Sequence, residues 1–306
     1  MERELIRWLR RRLPPHPLLR LGLGDDAAVL DMANTDQCVV TVDMLTDHVD
    51  FELAAVDPRR VGRKCLAANL SDLAAMAARP LAGVVAICLP RQNGFELAVS
   101  LFEGMIPLAE KYDLAIAGGD TNSWPGPLAV SITLLGGVTE RGPLRRNAAR
   151  PGDHILVTGS LGGSILGRHL DFEPRVSEAL ELHRRYDLHA GMDISDGLSL
   201  DLSRLVAESG CGAVLREGAI PVSDDARRLA KERADGLSPL DHALSDGEDF
   251  ELLLTVPPDT AKQMLSEQPL GVPLTDIGQC VAEPGLWIAD ADDRRAPLQP
   301  HGWEHS

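Results

Sequence analysis

The stretch DPRRVGRKCLAANLSDLAAMAARPLAGVVAICL, residues 57–89, decides the fold class. Asp57 before Pro58 is a helix start, because an aspartate caps free first-turn amides and proline fits the first helical position. The helix is expected to run to about Ala78, where Arg79-Pro80 stops it. Gly83–Leu89 then reads as a short apolar strand. The alternation continues outward. Further helices are expected from about Phe95 to Lys111, and from after Ser195-Asp196-Gly197 to Ser209-Gly210, where glycine supplies the left-handed cap. Strands are expected at Cys38–Val42, Leu114–Ala117, Ala129–Leu135, Ile155–Thr158 and Phe250–Val256. Interleaved helices and strands imply mixed α/β layers. Arg150-Pro151-Gly152-Asp153 is a turn-rich break followed by a fresh strand, turn and helix. With 306 residues, too many for one small module, two domains follow, 1–149 and 150–306.

Composition narrows the function. Hydrophobic residues make up 44% and aromatics 4%, as in soluble α/β proteins. No apolar run reaches the ~18 residues of a membrane helix, so no spanning segment is expected. A net charge of −16 repels phosphodiester backbones and argues against nucleic-acid binding. Met1–Arg12 is basic and amphipathic without an uninterrupted apolar core, which predicts a packed terminal helix and not a signal peptide. The cysteines Cys38, Cys65, Cys88, Cys211 and Cys280 form no CxxC pair. They read as free thiols in a reducing, cytoplasmic setting.

The informative feature is where the aspartates sit. They recur beside glycines and at the ends of apolar strands: Asp25 and Asp26 after Gly24, Asp43 after Thr41-Val42, Asp120 after Gly118-Gly119, Asp193 and Asp196 around Ile194-Ser195, and Asp249 after Gly247-Glu248. Asp72 sits in Asn69–Met76, among residues that otherwise read as core. Two carboxylates ~4 Å apart repel by roughly 4 kcal/mol at an effective dielectric of 20. Segments that converge need raised pKa values or hard divalent cations, and oxygen donors favour Mg²⁺, Mn²⁺ or Ca²⁺ over zinc. Singly, each aspartate reads as a turn former or helix cap. Together, with glycines that let backbone approach a ligand, they favour a metal–phosphate site.

Gly22-Leu23-Gly24-Asp25-Asp26-Ala27 fits GxGxxA but precedes an apolar run instead of opening a helix, so it fails as a dinucleotide fingerprint. Thr158–Ser164 follows a strand but lacks the GK[ST] ending of a P-loop. It is a weak phosphate-loop candidate whose plainer reading is a packing turn. GxSxG, HExxH and the protein-kinase signatures are absent.

The ordered blocks GLGDDAAVL (22–30), TVDML (41–45), KCLAANLSDLAAMAA (64–78), AGGDT (117–121), RRNAARPGD (145–153), VTGSLG (157–162), EPR (173–175), MDISDGLSLDL (192–202) and LSDGEDFELLLTV (244–256) resemble the thiamine-monophosphate kinases, within the aminoimidazole-ribotide synthetase-like superfamily. The resemblance covers nearly the whole chain. It implies a two-domain α/β fold whose N-terminal mixed sheet forms a barrel across a homodimer, with a C-terminal α/β domain. It implies ATP-dependent phosphorylation of thiamine phosphate to thiamine diphosphate, assisted by several Mg²⁺ ions. By motif, Asp25, Thr41, Val42, Asp43, Asp72, Asp120, Asp193 and Asp196 are the metal ligands it implies. Tyr112, Gly119, Asp120, Arg146 and Ser195 are the ATP contacts, and Asp50, Glu248 and Trp303 the acceptor contacts. No side-chain general base is implied.

Three departures mark this chain. Asp50 stands where the family commonly has histidine, with His48 two residues away on the same side of an extended segment. Val42 leaves only a backbone carbonyl for a metal. Asp246 replaces the first glycine of Gly-Gly-Glu-Asp. Two alternatives stand beside the kinase: a superfamily relative with another acceptor, and a protein that binds nucleotide and thiamine phosphate without turnover.

Overall fold

The structure is a computed structural model, and its description covers Leu5, Trp8, Leu9 and residues 11–21, 29–30, 32, 37–233 and 236–304. The block at 22–28, with Asp25, lies outside the described residues. The chain divides into two units, Met1–Leu73 with Ala78–Val138, and Ala74–Ala77 with Thr139–Ser306.

In the first unit, β1 (Leu19–Leu21) and β2 (Val29–Leu30) form an antiparallel pair. β3 (Cys38–Thr46), β4 (Arg79–Pro90), β5 (Ala115–Trp124) and β6 (Ala129–Gly137) form a mixed sheet in the order β3-β6-β4-β5, with only β4 and β5 parallel. Two helices, Pro58–Ala75 and Gly94–Lys111, carry the unit's core. They meet backbone to backbone at two glycines. A Cβ on Gly62 would lie 2.0 Å from the Leu101 carbonyl oxygen, and one on Gly104 1.8 Å from that of Arg59. Glycine within a helix costs about 1 kcal/mol relative to alanine, a cost offset here by the close approach.

The 58–75 helix stops at Ala75, three residues before the sequence suggests. Ala77 turns left-handed at φ 48°, and its amide and that of Ala78 return to the carbonyls of Ala74 and Leu73. The hydrophobic run continues past the helix because the turn itself is buried. The strands are longer than expected. Asp43 and Asp120 therefore lie within β3 and β5, not at their ends. In β3, Val40, Val42 and Met44 face out, while Thr41, Asp43 and Leu45 face the 58–75 helix, as the two-residue period of a strand requires.

The second unit is built on β7 (His154–Thr158), β8 (Ala190–Asp193), β9 (Gly212–Arg216), β10 (Leu252–Val256), β11 (Leu274–Val281), β12 (Gly285–Ala289) and β13 (Arg295–Pro297), in the order β13-β12-β9-β11-β7-β10-β8. Only β9 and β12 are parallel. Ile155, Val157, Met192, Ala213 and Leu253 from the sheet pack with Leu198, Leu202 and Leu205 from the helix Leu198–Ser209. That helix begins immediately after Ser195-Asp196-Gly197 and ends at Gly210 (φ 69°), as the sequence predicts. Among the described residues no helix is long and apolar enough to cross a membrane.

Candidate active site

In the first unit the acidic residues gather where β3 faces the 58–75 helix. The Thr41 hydroxyl donates to an Asp72 carboxylate oxygen. The Asp43 amide donates to Asn69 Oδ1 at 3.1 Å, and Asn69 Nδ2 donates to the Cys65 carbonyl at 3.1 Å. Asn69 and Asp72 are three apart, so both fall on the helix face that meets the strand. Burial pushes the Asp43 carboxyl up to about 7, and the nearby Asp72 and Asp50 carboxylates add to the shift. Every cause acting on Asp43 disfavours its charge.

Asp50 is held in the turn after β3. Its Oδ2 accepts from the Thr46 amide at 2.6 Å, and its carbonyl accepts from Lys64 Nζ at 2.5 Å, a lysine with no exposed surface. The Asp50 amide also returns to the Thr46 carbonyl, so the segment is a hydrogen-bonded turn and not an extended strand. The strand alternation expected to set His48 on the same side as Asp50 is therefore absent from this segment. His48 turns left-handed (φ 74°) and pairs with Glu52 at 3.1 Å. Asp47, His48 and Glu52 bring ligand atoms within 4.8 Å of one another; among the described residues no other trio of His, Cys, Asp or Glu does so, and the Asp43, Asp50 and Asp72 carboxylates are more loosely spaced.

The remaining predicted residues of this unit lie apart from that group. Val42 is 60% exposed on the opposite face of β3. Asp120 is exposed and stands in register with Ala86, which pairs with Ser131 and through it with Met44, so it belongs to the outward face. Its carboxylate accepts from the Thr121 amide at 2.9 Å. Gly119 has no room for a side chain, since a Cβ would sit 1.8 Å from the Val85 carbonyl oxygen. Strand packing alone explains that glycine. Tyr112 closes the 94–111 helix, with Lys111 Nζ 5.4 Å from its ring centre.

The second unit joins four predicted residues through backbone hydrogen bonds. Asp193 is buried at the end of β8. Beyond it, the Ser195 carbonyl accepts from the Glu248 amide at 2.7 Å and the Asp196 carbonyl accepts from the Trp303 amide at 2.9 Å. Ile194 and Phe250 are paired at 2.8 Å. The Asp196 carboxylate forms an ion pair with Arg204. Asp201 Oδ2 accepts from the amides of Asp196 (2.9 Å) and Gly197 (3.1 Å), capping the helix start, and burial pushes its carboxyl up to about 6. Arg146 is exposed; its carbonyl accepts from Ser209 Oγ at 2.8 Å.

Asp246 and the loop that follows it are anchored from below. Asp249 accepts from the Gly162 amide at 2.9 Å and from Arg168 at 2.6 Å. Glu251 takes Arg175 through two nitrogens at 2.7 and 2.6 Å and the Thr158 hydroxyl at 2.6 Å. Asp246 accepts from the Gly163 amide at 2.8 Å. The glycine-rich loop after Thr158 thus spends the Gly162 and Gly163 amides on the protein's own carboxylates and the Gly159 and Leu161 amides on the Pro273 and Pro221 carbonyls, as a packing turn does. Between these anchors Gly247, Glu248 and Phe250 all have positive φ, at 74°, 52° and 51°. For a non-glycine residue that conformation costs of order 1–3 kcal/mol and persists where the surroundings over-determine it.

Sequence reasoning missed Asn69, Lys64, Asp201 and Arg204. The spacing of Asn69 to Asp72, and an acid four residues after Gly197, were the available signals.

Known proteins match the chain along most of its length. Residues 24–138 match AIR synthase related protein, N-terminal domain, and residues 150–289 match AIR synthase related protein, C-terminal domain. A thiamine-monophosphate kinase of Rhodopirellula baltica is 42% identical over 100% of this chain and 97% of its own length. The crystal structure of thiamine-monophosphate kinase from Stenotrophomonas maltophilia superposes with a TM-score of 0.80 at 32% identity, covering 96% of both chains. AaThiL complexed with AMPPCP and TMP gives a TM-score of 0.77 at 25% identity, over 100% of this chain and 97% of that one.

Proposed function

Because the chain belongs to the thiamine-monophosphate kinases, a phosphotransferase family among the AIR synthase related proteins, we propose that it transfers the γ-phosphoryl group of ATP to thiamine phosphate, giving thiamine diphosphate and ADP. The observation that carries the reading is Asp43, half-buried near the Asp72 and Asp50 carboxylates that both disfavour its charge, with Thr41 and Asp72 joined beside it. Hard oxygen donors whose mutual charge disfavours ionisation suit a divalent cation. Mg²⁺ fits this donor set, and Thr41, Asp43 and Asp72 would hold one ion; several ions are proposed, with Asp25, Asp120, Asp193, Asp196 and the Val42 carbonyl as ligands of the others. When bound, Mg²⁺ supplies the positive charge that lets two phosphates approach.

The acceptor explains why no general base is needed. A phosphate monoester has a second pKa near ~6, so its attacking oxygen is largely ionised at pH 7. The protein's part is orientation and charge balance. Arg146 gives charge-assisted contacts to ATP phosphates, with Tyr112, Gly119, Asp120 and Ser195 as the other ATP contacts. Glu248, Trp303 and Asp50 are assigned to thiamine phosphate. Trp303, 51% exposed, offers a ring face to a cationic thiazolium.

The proposal includes a homodimer. β3 is an edge strand, and Val40, Val42 and Met44 are 61%, 60% and 67% exposed in one stripe. A second copy covering that stripe accounts for so much apolar surface at a sheet edge.

Incubation with ATP, Mg²⁺ and a panel of phosphate acceptors, read by product mass, tests the function. Thiamine diphosphate and ADP in equal amounts are expected. ADP without thiamine diphosphate sinks the acceptor assignment, and binding of both ligands without ADP sinks the kinase.

A further inference from the structure

The last residues of the chain follow a fixed track across the second unit. After β13 the Leu298 amide donates to the Leu286 carbonyl at 2.8 Å. Ser199, almost fully buried at the first turn of the 198–209 helix, then grips His301 from both sides. Its hydroxyl donates to the His301 carbonyl at 2.8 Å and accepts from the His301 amide at 3.0 Å. Gly302 follows in a space with no room for a side chain. A Cβ there would lie 2.2 Å from the Asp196 carbonyl oxygen and 2.9 Å from the Leu200 Cβ. Only then does the Trp303 amide reach that same Asp196 carbonyl, at 2.9 Å.

Two features of this track exceed what anchoring a tail requires. A serine that both donates to and accepts from one residue fixes the rotation of that peptide as well as its position. A glycine forced by backbone contact lets the next residue lie directly on the loop that carries Ser195 and Asp196. The ring that follows stays half-exposed while its own backbone is tied down.

We propose that Ser199 and Gly302 are positioning residues, which fix the Trp303 ring against the Ser195–Asp196 loop and thereby set the affinity for the thiamine end of the acceptor. The proposal rests on the assignment of Trp303 to thiamine phosphate. The phosphate end is insulated from the tail, because Asp196 keeps its hold through Asp201 and Arg204 when the tail loosens. Pre-ordering the ring removes an entropic cost that binding otherwise carries.

Steady-state kinetics on the full chain test it, with Ser199→Ala, Gly302→Ala, Trp303→Ala and the Ser199→Ala/Trp303→Ala pair. Losing the serine's bonds is expected to raise KM for thiamine phosphate about fivefold with KM for ATP unchanged within about twofold, and the glycine substitution, whose new Cβ also meets the Asp196 carbonyl, to raise KM for thiamine phosphate about tenfold. Once Trp303 is gone, removing Ser199 adds nothing further, which a merely structural role does not produce. Equal rises for both substrates, additive effects in the pair, or no rise in either single variant overturn the proposal. If Trp303→Ala leaves KM for thiamine phosphate untouched, the assignment of the ring falls and the positioning role with it. If Trp303→Ala raises it while Ser199→Ala and Gly302→Ala do not, the positioning role alone falls.

Discussion

Asp43 is half-buried and Asp249 buried, and desolvation pushes each carboxyl up to about 7. Both also have carboxylates nearby that oppose their charge, Glu251 and Asp246 in the case of Asp249. Asp249 differs in meeting Arg168 and the Gly162 amide, both of which favour its charge more strongly than those carboxylates oppose it. Asp43 meets Asp72 and Asp50, which oppose it. The same shift therefore has two meanings. Asp249 is a strut held by Arg168 and the Gly162 amide, whereas Asp43 belongs to the group proposed to take a divalent cation. A perturbed carboxyl marks a functional site only when the missing charge can be named.

The largest expected effect separates these two residues directly. Asp43→Asn is expected to lower kcat/KM by about 10³-fold, the scale of losing a preorganised charge in phosphoryl transfer, with unchanged or higher thermal stability. Asp249→Asn leaves Arg168 without its carboxylate partner in a buried setting and is expected to cost about 3–5 kcal/mol in denaturant unfolding. Reversed outcomes, an inactive but stable Asp249 variant beside an active but unstable Asp43 variant, would undo the contrast between strut and metal ligand.

A smaller effect concerns pH. Asp43 has a folded pKa of about 7 against an ordinary value of 3.8, so its ionisation opposes folding. That contribution to stability is intact below about 4 and is lost as pH rises through 7. Asp249 carries the same sign. In the proposed site Mg²⁺ competes with the proton at Asp43 and not at Asp249. The Mg²⁺-induced rise in melting temperature is thus expected to be larger at about pH 8 than at about pH 5.5 in the natural chain, and to lose that dependence in Asp43→Asn. Differential scanning fluorimetry reads both.

The smallest effect is a trade at Glu248. Its left-handed backbone makes Glu248→Gly stabilising by about 1 kcal/mol, while KM for thiamine phosphate rises. A variant neither more stable nor weaker in acceptor binding contradicts the role given to that loop.

Much of the fold was legible in local chemistry. Asp57-Pro58, Gly210 and Arg79-Pro80 act within a few residues, so the caps and breaks they announce are close to where the structure has them. Less legible was which acids meet. Thr41 and Asp43 read as one motif with Val42, and only the pleat of β3 sends Val42 to the other face. Asp120 reads like Asp43, yet register with Ala86 sets it among the outward residues. Asp196 reads as a turn former or, by resemblance, a metal ligand, and Arg204, eight residues on, reaches it only because a helix intervenes. Aspartates beside glycines can be enumerated from the sequence, but their partners come from strand register and helix phase. The turn at Asp50 is the clearest case. Its alternation pattern suggests an extended segment, while the bond from the Thr46 amide to its carboxylate folds the chain back on itself.

Whether the acids around Asp43 hold a metal is decided by a Mn²⁺ titration, followed by electron paramagnetic resonance in the presence of a non-hydrolysable ATP analogue. The natural chain and Asp249→Asn, at a temperature where both are folded, are expected to bind the ion equally, and Asp43→Asn at least about tenfold more weakly. Equal affinity in all three proteins would contradict a metal role for that cluster.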